Sequence, residues 1–132
     1  MTVLEYLQKC KQDVDVYDED YDEGCAFCWD DSVLEQKEPI DRFNYQLYKR
    51  LEVTFINDDC ICANVSSLVR KHLTELKELL GMTGDEFDED EYDTYDDYAE
   101  ERLVRFFLHA QAGYSTDKTY TKLADAMEKW EG

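Results

Sequence analysis

Two apolar periods alternate along the chain. Val3, Leu4 and Leu7 recur at helical spacing behind Thr2, and Glu5 stands where its carboxylate can close a capping box on that threonine. Val14 and Val16 then alternate with Asp13, Asp15 and Tyr17, the period of a strand. Residues 18–24 are rich in Asp and end in Gly, a turn composition. Cys25, Phe27 and Trp29 resume the alternation, so the two stretches predict a first hairpin. Pro39 suits the first position of a helix carrying Ile40, Phe43 and Leu47 inward. Leu51, Val53 and Phe55 switch to period two, Asn57-Asp58-Asp59 supplies a turn, and residues 60–65 give a fourth strand.

The second half reads as helical. Ser66 or Ser67 is placed to cap a helix over residues 67–80, with Val69, Leu73, Leu76 and Leu80 as its buried stripe and Gly81 as its stop. Residues 82–91 are acidic and irregular in pattern. From about residue 92 a helix carries Tyr95, Ala99, Leu103, Phe106 and Ala110 on one face, and Gly113 ends it. Thr116 caps a last helix with Tyr120, Leu123, Ala124, Met127 and Trp130 inward. The expected architecture is a single α+β domain over residues 1–132. Two hairpins form a small antiparallel sheet, helices pack on one face, and three helices stand at the C-terminal end.

Composition changes this picture through charge. The 132 residues carry 33 Asp and Glu against 14 Lys and Arg, a net charge of −19. Such a surplus costs stability by self-repulsion and disfavours direct binding to nucleic acid or an anionic membrane. With 43% hydrophobic residues and 10 Tyr, 6 Phe and 2 Trp, the chain nevertheless has the material for a core. The opening MTVLEYLQKC carries an acid and no apolar core segment, and the five Cys are an odd number. These features predict reduced thiols in a cytoplasmic protein whose natural partners are basic proteins or cations.

The acids are clustered. Asp13, Asp15, Asp18, Glu19, Asp20, Asp22 and Glu23 form one run without a Lys or Arg. Asp85, Glu86, Asp88, Glu89, Asp90, Glu91, Asp93, Asp96, Asp97, Glu100 and Glu101 form a second. Acids in the first turn of the helix near residue 92 gain from its dipole, but those further along repel one another by a few tenths of a kcal/mol per close pair, about 0.2–0.5. A solvated face kept for solubility accounts for such runs in general. Ordered carboxylates imitating a phosphate track are the sharper account. Tyr17, Tyr21, Phe87, Tyr92, Tyr95 and Tyr98 are interleaved with the acids, and exposed tyrosines suit an interface. The expected partner-binding set is therefore Asp18, Glu19, Asp20, Asp22, Glu23, Asp85, Asp88, Glu89, Asp90, Glu91, Asp93, Asp96 and Asp97, with Tyr92 and Tyr95.

In the runs DVDVYDEDYDE and DEFDEDEYDTYDDYAEE, and in its small size, the chain resembles the acidic DNA-mimic proteins of phages and mobile elements, anti-restriction and anti-CRISPR inhibitors among them. The resemblance is one of composition, and no residue role is carried over by position. It implies a non-enzymatic inhibitor, a phage or mobile-element origin, and a basic nucleic-acid-handling protein as target, such as a CRISPR effector or restriction nuclease. A general adaptor or immunity-type protein, covering a basic partner without imitating nucleic acid, is the alternative.

Other chemistry is sparse. Cys25, Cys28, Cys60 and Cys62 are the candidate zinc ligands, with a C-x-x-C spacing in the first pair. Strand alternation would send Cys25 and Cys28 to opposite faces, which favours reading all four as core cysteines. His72 and His109 read as structural, and Arg102 and Arg105 as counter-charges to the acids. Asp18, Asp20 and Asp22 alternate like the start of a calcium loop, but Gly24 falls one place late and no Glu closes the loop. No phosphate loop, nucleophile elbow or His-Glu-x-x-His pattern occurs, so neither an enzyme nor a cofactor is expected.

Overall fold

In the computed structural model, which describes residues 1–84, 90–111, 113 and 115–130, the first helix, α1 (Val3–Cys10), begins with the predicted box. The Thr2 hydroxyl accepts from the Glu5 N–H and the Glu5 carboxylate from the Thr2 N–H, each at 3.1 Å. Strands β1 (Val14–Asp18) and β2 (Gly24–Phe27) form the first hairpin, and β3 (Val53–Ile56) and β4 (Cys60–Ala63) the second. Between them lie a one-turn helix unmarked in the sequence, α2 (Ser32–Glu35), and α3 (Pro39–Arg50), with Pro39 in its first turn. The described helices continue with α4 (Val65–Lys71), α5 (Leu73–Leu79), α6 (Tyr95–Ala110) and α7 (Asp117–Glu128). None of these helices is long and apolar enough to cross a membrane.

The α+β class and the helices at the C-terminal end are as the sequence predicts. The strand order is β2-β1-β4-β3, and the hairpins join through a parallel β1–β4 pair, Val16 opposite Ile61. The sheet is therefore mixed and not antiparallel throughout. The connection from β1 to β4 passes through α3, long enough to bring the chain back in the same direction. Val14, Val16, Phe27, Ile61 and Ala63 point to one face, where helices cover them. Phe43 of α3 stacks on Phe107 of α6 and tilts against Tyr120 of α7, and these rings with Leu47, Leu103 and Leu123 fill the centre.

Three departures from the expected pattern have local causes. A bulge between Val53 and Phe55 shifts the register against β4, so Val53 packs inward while Phe55 turns outward beside Cys62. The helix expected over 67–80 breaks at His72, whose φ of −119° leaves the helical range, giving α4 and α5. Neither Ser66 nor Ser67 is its cap; the N-cap position is Asn64. On α6, capped by Thr94, Ala99, Leu103 and Ala110 are buried as expected, joined by Val104, Phe107 and Leu108, while Tyr95 and Phe106 are only half-buried.

Candidate functional site: an acidic face and an open sheet

The two acidic runs, far apart in sequence, meet in space. The Tyr21 hydroxyl donates to Glu100 at 2.5 Å. Arg70 of α4 reaches Asp20 at 2.9 Å and Glu100 at 2.6 Å, and Arg105 of α6 reaches Glu23 at 3.1 Å and Glu101 at 3.0 Å. Two arginines thus stitch the β1–β2 turn to α6. The Arg70 guanidinium, followed by the Ser66 hydroxyl, holds the Asp20 carboxyl below its usual range. Burial, and then the bond to Glu100, raises the Tyr21 phenol. The runs lack bases in sequence, but the fold supplies counter-charges from other elements.

The predicted site residues divide by role. Asp18 is 4% exposed and accepts the backbone N–H groups of Asp20 (2.9 Å), Tyr21 (3.0 Å) and Ser66 (2.6 Å). It shapes the turn and ties it to the start of α4; buried, it offers nothing to a partner. Its three amide contacts also leave it unlike the first ligand of a calcium loop. Glu19 accepts from the Ser67 hydroxyl at 2.8 Å. Asp20 and Glu23 belong to the arginine stitches, and Asp96 pairs with Lys77 at 2.7 Å. Asp22, Glu91, Asp93 and Asp97 are exposed and make no ion pair among the described residues; Asp90 is exposed too. Asp85, Asp88, Glu89 and Phe87 lie outside the described residues. Tyr92 and Tyr95 are half-buried and both set their rings edge-on to Tyr98. Glu101, accepting from the Tyr92 hydroxyl, is the first cause raising that phenol to about 12.

The zinc reading and the core-cysteine reading both meet the sheet geometry. Cys25 stands opposite Val16 and packs toward the core, whereas Cys62 stands opposite Tyr17 on the other face. A single ion cannot be shared through the sheet. Among the described residues no three His, Cys, Asp or Glu side chains group as a metal site requires. None of the five cysteines is fully buried, and Cys28 is exposed. Cys60 and Cys62 line the outer face because the buried positions of β4 are Ile61 and Ala63.

That outer face holds residues the sequence reading assigned elsewhere. Tyr17, Cys62 and Phe55 lie in one row across β1, β4 and β3. The Tyr17 ring lies over Gly24, where a Cβ would come within 2.5 Å of it, so glycine is what permits the ring to lie flat. Tyr17 is 40%, Phe55 60% and Ile56 54% exposed. Asp15 on the same face and Asp58 and Asp59 in the β3–β4 turn give this apolar row an exposed acidic surround. No sequence signal marked Phe55 as outward, since the bulge that turns it is invisible in the alternation.

No family model matches the chain, and no curated protein and no solved structure matches it either.

Proposed function

We propose that the protein is a nucleic-acid mimic that inhibits a basic nucleic-acid-handling protein, such as a CRISPR effector or a restriction nuclease, by occupying its phosphate-binding cleft. The observation that carries this reading is the convergence of both acidic runs on one face, fixed by Arg70 and Arg105. Ordered carboxylates present charge at lower entropic cost than a flexible tail does. The acids left without ion pairs, Asp22, Glu91, Asp93 and Asp97, supply the attraction, and release of counterions from the basic cleft drives association as it does for DNA. The chain acts by binding alone. Replacing Asp22, Asp93 and Asp97 by Asn and Glu91 by Gln abolishes binding to the target while leaving the thermal midpoint intact. Full binding by that folded variant would refute the reading.

The open sheet face favours a second reading, an adaptor or immunity-type protein. Tyr17 and Phe55 would be its anchors, with the acids steering a basic partner toward them. Binding would then survive salt and added nucleic acid, and Phe55→Ala would remove it.

A further inference from the structure

One pocket of this acidic protein is basic. It is a cavity of about 150 Å³ lined by Arg50, Asn64, Ser67, Leu68, Lys71, His72 and Trp130. Arg50 closes α3, Lys71 closes α4, and His72 sits in the break before α5 with its ring stacked on Trp130, centroids 3.6 Å apart and planes 3° from parallel. The break noted in the fold is what turns Lys71 and His72 to the same opening.

The Arg50 and Lys71 charges differ from Arg42, Arg70, Lys77 and Arg105, each of which pairs with a carboxylate. The Arg50 Nη atoms donate to the Gln46 carbonyl at 3.3 Å, to the Gln46 side-chain oxygen, and to the Trp130 carbonyl at 3.3 Å. Its Nε is buried with no acceptor among the described residues. Neither Arg50 nor Lys71 forms a salt bridge among the described residues, on a chain where acids outnumber bases more than twofold. The nearby carboxylates are committed elsewhere. Glu75 of α5 accepts from the Trp130 indole N–H, Glu128 of α7 from Arg42, and Glu19 from Ser67. Asn64 uses its carbonyl oxygen on the Glu52 N–H at 2.7 Å, which leaves its NH₂ as a donor. A buried donor without an acceptor costs roughly 1–3 kcal/mol, and such groups call for an explanation.

We infer that this pocket binds one phosphate-sized oxyanion, with the Arg50 and Lys71 cations, the His72 imidazole and the Asn64 amide as its donors. The size supports that class, because sites for drug-sized ligands occupy roughly 300–1,000 Å³. Phosphate offers acceptors in several directions and matches a guanidinium well. The site touches the acidic runs through the Ser67 hydroxyl, which donates to Glu19, but its binding groups are its own and the inference stands independently of the mimic reading.

The test uses inorganic phosphate added to the whole protein at constant ionic strength, followed by NMR of the two histidine rings. The groups facing His72 are Arg50 from α3, Lys71 from α4 and Glu75 from α5, and burial and the two cations hold its imidazole below the ordinary range. A bound anion favours the charged imidazolium and raises it. The expected result is a saturable shift of His72, an upward move of its titration, and no response from His109. Lys71→Gln, at an exposed position, should weaken phosphate binding about tenfold, equal to about 1.4 kcal/mol. A drift that never saturates, equal movement of both histidines, or an unchanged affinity in Lys71→Gln would each overturn the inference.

Discussion

The two acidic runs look alike as text and differ as structure. In the β1–β2 turn, Asp18, Glu19, Asp20 and Glu23 all have protein partners, whereas Asp22 forms no ion pair among the described residues. Around the start of α6, Glu91, Asp93 and Asp97 are exposed and form no ion pair among the described residues, whereas Asp96 pairs with Lys77. Carboxylates in the first region hold the fold together, as Glu100 and Glu101 do further along α6, whereas Glu91 and Asp93 gain no ion pair among the described residues to offset their mutual repulsion. A charge that stabilises nothing internally points to a use outside the molecule, and that difference locates the binding surface better than the count of acids does.

Removing the buried carboxylate would break the comparison most sharply. Asp18→Asn sets an amide NH₂ against backbone N–H groups that now share a carboxylate. With charge-assisted bonds worth roughly 1.5–3 kcal/mol each, a loss of about 3 kcal/mol in urea unfolding is expected. Cutting one stitch costs less. Arg70→Met should lower stability by about 1 kcal/mol, since its guanidinium is half exposed although Glu100 is largely covered. The Asp22, Glu91, Asp93 and Asp97 substitutions should leave stability within about 0.5 kcal/mol, or raise it slightly as repulsion falls. Equal losses from Asp18→Asn and from this set would erase the distinction between the regions.

The smallest effect is on pH dependence. Burial, with Lys71 and then Arg50 beside it, keeps the folded His72 imidazole below its ordinary value, against the opposing pull of Glu75. As pH falls through about 6.5 the unfolded chain takes up this proton first. The contribution of neutral His72 is therefore present above that pH and is lost below it, down to the folded-state value. Urea midpoints of the wild type and of His72→Gln should converge or cross on going from pH 7.5 to 5.5; parallel curves would show that His72 is not the group responsible.

Much of the fold was legible in the sequence because local signals agreed with it. The Thr2–Glu5 box, Pro39, Thr116 and the alternation at Val14 and Val16 each encode a boundary or a face by chemistry within a few residues. The parallel β1–β4 pairing was hidden, since two adjacent hairpins read the same whichever way they join. The bulge at Val53–Phe55 was hidden for a similar reason: it reverses the facing of a strand without altering the spacing of apolar residues. The site was half legible. Clustering of the acids was plain, but the arginines that neutralise part of them come from α4 and α6, remote in sequence from the β1–β2 turn. The basic pocket draws on α3, α4 and the C-terminal Trp130, and no stretch of sequence contains it.

The most direct test of the mimic reading is competition. The protein would be immobilised, used to capture partners from bacterial lysate, and washed with duplex DNA or RNA at fixed ionic strength. Release of a basic nucleic-acid enzyme by nucleic acid, with no capture by the Asp22, Glu91, Asp93 and Asp97 variant, is the expected result. A specific partner that nucleic acid fails to displace, and that Phe55→Ala no longer retains, would contradict it and transfer the function to the open face of the sheet.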